Sequence, residues 1–205
     1  MLDLLYSNPL LFLIWAAALV TAVTIHEFAH AATAVRLGDP TPKLQGRLTL
    51  NPLAHLDPLG TLMLLLVRFG WGRPVQFDPF NLENPRRDAA IISLAGPASN
   101  LLLAGVLSII LRLTNSPFIP PFIVLNVVLA IFNLIPVHPL DGGKILVGLL
   151  PPRDAGKVDL FMQRYGIFIL ILLIFPVFGT SFVFTIISPI INFLLEIYIP
   201  GTNLL

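Results

Sequence analysis

Two histidines and a glutamate stand together where the sequence reads His26-Glu27-Phe28-Ala29-His30. Side chains four apart on a helix point the same way, so His26 and His30 can share one tetrahedral zinc ion through their ring nitrogens. Glu27 then lies beside the metal with a free carboxylate. Such a set has a definite chemistry: the metal acidifies water, and the carboxylate takes the proton and later delivers it to a leaving amine. That is the equipment for hydrolysing a peptide bond. Coincidence explains the pattern poorly, because this composition, with its four His among 205 residues, would produce it in roughly one chain in a thousand.

A third protein ligand must be an imidazole or a carboxylate, since the chain has no cysteine. Residues 133–144, NLIPVHPLDGGK, offer Asp141 and His138. Depth favours Asp141. His30 lies about 8 Å inside the end of its apolar run, and Asp141 follows the matching end of a later one. Glycines after Asp141 permit close backbone approach. His138, set among prolines, otherwise reads as an interfacial or gating residue. Asn100 and Gly96 read as helix-packing positions, with Asn100 able to support the site. His55, Asp57 and Pro58 read as the cap of the short apolar segment that follows them.

The elements that carry these residues belong in a bilayer. Hydrophobic residues make up 56% of the chain and charged ones 11%, against about 25% charged in soluble domains. Residues 10–35, 89–111 and 119–136 read as spans, and 165–199 as a pair broken near 176–181. The first run is too long for a signal-peptide core and lacks a basic flank, so it reads as a retained helix. The expected fold is an all-α membrane protein, a bundle of about five to six transmembrane helices. It forms one domain over 1–205, with a motif-bearing core of about 10–150 and C-terminal helices over 158–199. Residues 59–69 are too short to cross and read as a re-entrant element. In that arrangement, with the N-terminus outside, eleven of the twelve lysines and arginines face the cytoplasm and only Arg112 does not. Residues 43–50 and 74–77, short and bounded by proline and glycine, read as strands near the site. No basic tract interleaved with aromatics points to nucleic acid.

HExxH at His26–His30, together with a later N-x-x-P-x-x-x-L-D-G at Asn133, Pro136, Leu140, Asp141 and Gly142, resembles the site-2 protease family of intramembrane metalloproteases. GRLTLNPLAHLDPLG at 46–60 and LAGPASN at 94–100 are similar to its small, compact branch. The resemblance covers about 25–146. It implies one zinc ion per chain on His26, His30 and Asp141, catalysis by Glu27, and an orienting or oxyanion-stabilising role for Asn133. Implied partners are membrane-embedded protein substrates and the lipid bilayer, with the active site toward the cytoplasmic side. The chain departs from larger relatives in lacking a PDZ or CBS insert. Gln76 stands where a PVPV-like pattern often has proline. A metal transporter would also place His and acidic residues in a span, but no inverted repeat is evident. A catalytically dead scaffold would have no need of Glu27 together with all the ligands.

Overall fold

The computed structural model describes residues 2–67, 70, 72–175 and 181–199. Among them are nine α-helices: α1 Leu2–Ser7, α2 Pro9–Arg36, α3 Thr41–Leu44, α4 Pro58–Val67, α5 Pro85–Thr114, α6 Pro120–Asn133, α7 Asp141–Leu149, α8 Pro152–Ile174 and α9 Phe182–Tyr198. Local chemistry sets their ends. Asn8 caps α2 by accepting the Leu11 N–H at 3.0 Å, with Pro9 in the first turn, where a missing N–H costs nothing. At the start of α5, Asp88 accepts the Asn84 N–H at 2.8 Å. At its other end Asn115, at φ 50, provides a left-handed cap.

α2 and α5 are each long and apolar enough to cross a membrane; α6 and α9 are shorter apolar helices. The buried residues of α2 include Ala18, Ala22, His26, His30 and Ala34, and those of α5 include Asp88, Ile92, Gly96, Asn100, Ala104 and Ser108. Both sets recur every fourth position, which draws one stripe along each helix. The stripes face each other, running in opposite directions, because His26 meets Asn100 and His30 meets Ile92. Small and polar residues thus fill the seam. Large apolar side chains face outward instead: Leu102 is 72% exposed, Phe168 71% and Phe193 62%. That inversion suits a lipid surroundings better than water. α9 closes one side of the bundle with Val183, Ile187, Ile191 and Leu195 packed on Ile123, Val127 and Ile131 of α6.

The region between α2 and α5 corrects the strand expectation. Residues 43–50 form no strand: Thr41–Leu44 is a helical turn, and the Gln45, Gly46, Arg47 and Thr49 N–H groups all bond to carbonyls within five residues. Asp39 causes this. Its buried carboxylate accepts the Thr41 N–H at 3.0 Å and hydroxyl at 2.6 Å, which starts the turn. The same carboxylate accepts the Asp78 N–H at 2.7 Å and the Asn81 amide at 2.8 Å, tying the two connecting segments together. Burial pushes the Asp39 carboxyl up, but these hydrogen bonds outweigh it and hold the group below its ordinary value. Residues 74–77 carry neither helix nor ladder. Among the described residues the only β-bridge pairs Leu56 with Gly72. With the Arg73 N–H on the His55 carbonyl at 2.8 Å, it pins together the two ends of the segment containing α4. Asp57 caps α4 as expected, accepting the Gly60 N–H at 2.7 Å. Phe69, at the end of the expected re-entrant segment, and the expected break at 176–180 lie outside the described residues.

Candidate metal centre

α2 presents His26 and His30 one turn apart in the seam, and α7 opens on Asp141. The ring nitrogens and the carboxylate converge: His26 Nε2 and His30 Nε2 lie 3.1 and 3.2 Å from Asp141 Oδ2. One ligand atom from each residue falls within 4.8 Å of the others. A tetrahedral zinc with ligand bonds near 2.0–2.1 Å separates its ligand atoms by about 3.3 Å, so this donor set fits the ion in chemistry and in both histidine–carboxylate spacings. Gly96 makes room for it. A Cβ there would sit 2.5 Å from His30 Cε1 and 2.7 Å from His26 Cε1, so a larger residue would push both rings off their positions.

The outer nitrogens are held by acceptors that leave no choice of tautomer. His30 Nδ1 faces the Ile92 carbonyl at 2.7 Å and must donate to it. For His26 the constraint comes from farther away. Asn126 Nδ2 donates to the Phe122 carbonyl at 2.8 Å, which turns Asn126 Oδ1 toward Asn100. Asn100 Nδ2 donates to that oxygen at 2.7 Å and to the Ala22 carbonyl at 3.0 Å. Asn100 Oδ1 is thereby aimed at His26, whose Nδ1 donates to it at 2.6 Å. Both Nε2 lone pairs remain for a metal, the arrangement expected of ligating histidines with oriented partners. Asn126 is fully buried, yet nothing in its local sequence marks it. A lone polar residue on the inner face of an apolar helix is the one signal that could have found it.

Glu27 is not among the converging ligands. Its Oε2 accepts the Val75 N–H at 2.8 Å, which fixes the carboxylate and leaves Oε1 without a hydrogen-bond partner among the described residues. Asn133 ends α6 and donates its amide to Leu129 of its own helix at 2.9 Å. It makes no hydrogen bond to His26, His30 or Asp141 among the described residues. His138 is also elsewhere: its Nε2 pairs with Asp159 Oδ1 of α8 at 3.0 Å. His55 is buried in the connecting segment, on the Thr49 carbonyl at 2.8 Å. Arg47, which sequence reasoning passed over, is buried beside it and donates to the Ala54 and Arg73 carbonyls.

A helical molecule that gathers two imidazoles and a carboxylate around one point, with an oriented glutamate next to the first of them in sequence, has the parts of a zinc metallopeptidase. Comparison with known proteins agrees. The family description for peptidase family M50 matches residues 113–176, which include Asn133 and Asp141 but not the paired histidines. YwhC of Bacillus subtilis, a zinc metalloprotease by name, is 41% identical over 77% of this chain and 77% of its own length. Rip2 of Mycolicibacterium smegmatis, similarly named, is 33% identical over 83% of this chain and 70% of its own. Rip2 of Mycobacterium tuberculosis is 32% identical over 80% and 68%. No solved structure matches. The chain belongs to peptidase family M50, a family of membrane metalloproteases, and is a zinc-dependent endopeptidase.

Proposed function

We propose that this chain is a multi-pass intramembrane protease that hydrolyses peptide bonds of membrane-embedded protein segments, with His26, His30 and Asp141 holding one zinc ion and Glu27 as general base. The observation that carries the reading is the convergence of the three ligand atoms beside Glu27 within a seam whose outer surface is apolar. Zinc, when bound, supplies Lewis acidity that acidifies water and polarises the scissile carbonyl. Glu27 takes a proton from the attacking water and returns it to the leaving nitrogen as the C–N bond breaks. The Val75 N–H holds Oε2, so Oε1 is the oxygen that exchanges the proton. Asn133 is the proposed support for the substrate carbonyl. The distribution of basic residues supports an orientation with this end of the bundle toward the cytoplasm.

The substrate is received as an added strand along 74–77. Thr49 and Val75 cannot offer free edge donors, since their N–H groups bond to Arg47 O at 2.9 Å and to Glu27 at 2.8 Å. Gln76 is different: its backbone N–H and C=O have no protein partner among the described residues, and an extended neighbour could use them.

The test is cleavage of single-span peptides by purified protein with and without a zinc chelator, alongside Glu27→Gln. The variant keeps its zinc and loses cleavage by about 10²–10⁴-fold. Parental turnover by Glu27→Gln, or cleavage indifferent to chelation, removes the mechanism.

A further inference from the structure

A cavity of about 920 Å³ opens between residues 74–79, the first turn of α5, one face of α7 and residues 155–167 of α8. Its walls are mostly apolar, including Val75, Phe77, Val147 and Met162, and its volume falls in the range of ligand sites. It adjoins the chemistry, because Val75 both lines it and donates to Glu27. Lys144 projects into this space from α7, three residues after Asp141 and so on the same face of the helix.

The charges in the cavity are unequally satisfied. Asp159 is spoken for, with His138 Nε2 at 3.0 Å on one oxygen and Gln163 Nε2 at 2.9 Å on the other. Lys144 has no carboxylate within 4.0 Å among the described residues; its ammonium rests over the Phe77 ring, 4.6 Å from the centroid. Burial pushes that ammonium below its ordinary value, against the pull of Asp141, Glu27 and Asp159. A half-buried cation lacking an anionic partner gains when a carboxylate reaches it.

We propose that this cavity is a substrate subsite in which Lys144 binds an Asp or Glu carboxylate of the polypeptide being cleaved, while the apolar walls take the neighbouring side chains. The inference rests on the peptidase reading above and adds a specificity to it. Residues on the cut segment's flank are the ones that would occupy the space, since Val75 lines it and bonds Glu27 while none of His26, His30 and Asp141 lines it. The selected acid therefore sits at one or two fixed positions from the scissile bond. Arg86 lines the same cavity at its exposed side and adds a second, better solvated positive charge.

Single-span peptides in lipid vesicles, each with one Asp or Asn scanned through both flanks of the span, test this. Binding is measured to full-length Glu27→Gln protein by fluorescence anisotropy, and cleavage with the parental enzyme. At one or two positions Asp is expected to bind about tenfold tighter than Asn, as one charge-assisted hydrogen bond provides. Lys144→Met, which keeps the aliphatic stem over Phe77, brings that ratio to about one. Lys144→Arg retains it, and Lys144→Glu transfers the preference to Lys-bearing peptides. Because each ratio is taken within one variant, lost stability cannot imitate the effect. An Asp/Asn ratio near one at every position of the parental chain overturns the proposal, as does a preference that survives Lys144→Met. Binding selectivity without any cleavage would leave the subsite standing and overturn the peptidase mechanism instead.

Discussion

His26 depends on a residue it never touches. The amide chain from the Phe122 carbonyl through Asn126 and Asn100 admits only one orientation at each step, and the last step settles which nitrogen of His26 carries a proton. Replacing Asn126 with Leu frees Asn100 Nδ2 from one acceptor, so the amide can turn and present a donor where His26 also donates. Outer partners of metal-bound histidines contribute about 10–100-fold to affinity, and Asn126→Leu is expected to weaken zinc by an amount in that range. A competition titration with a coloured chelator measures it, and unchanged affinity would reduce the amide chain to packing. Gly96 limits the same site from the other side, with no room for a Cβ between the two rings. The candidate ligands were legible in the sequence, because HExxH is a local pattern, depth favoured Asp141 over His138, and the family resemblance implied the same set. Asn126 was not, because its role exists only once three helices meet.

At the scale of elements, hydropathy located α2 and α5 to within a few residues, since a long apolar run has few alternatives to a helix in lipid. The connecting segments were misread for the opposite reason. Their β-like composition is a weak preference, and residues 43–50 meet no neighbouring strand; Asp39 offers nearer hydrogen bonds and turns the chain instead. The pairing of Leu56 with Gly72 could not be read locally either, yet it decides the path of α4. Ten residues rise about 15 Å, half of a hydrocarbon core, so with Leu56 and Gly72 paired we propose that this segment enters and returns without crossing. Cysteines at exposed Lys43 and Arg87, in a chain with no native cysteine, are therefore expected to react with an impermeant maleimide from the same face, the cytoplasmic one. Labelling from opposite faces would mean that the segment crosses.

On the function proposed above, the whole molecule faces a difficulty that no single element resolves: a membrane-embedded substrate would arrive as a helix, and a helix keeps each scissile carbonyl in an intrahelical hydrogen bond. Unwinding in a bilayer leaves N–H and C=O groups unpaired at several kcal/mol each. The bundle offers partners for them beside the metal centre. Residues 72–78 run along α2, with the Val75 N–H turned inward to Glu27 and the Asp78 N–H secured by Asp39, while the Gln76 backbone groups between them have no partner among the described residues. In the proposed strand addition, anchoring on both sides would hold this stretch in place as a template and leave the Gln76 groups for the guest. A guest paired as a strand turns alternate amides toward its partner. Methylating the backbone nitrogen of a substrate peptide one residue at a time should therefore slow cleavage with a period of two near the cut, each sensitive position costing about tenfold or more, as a lost and unreplaced hydrogen bond does. Substrates with Gly or Pro near the cut unwind at lower cost and are expected to be cleaved faster, yet to keep the same alternation. A uniform effect of methylation, or one with a helical period, would show that the substrate is held in some other way and that residues 74–77 only cover the site.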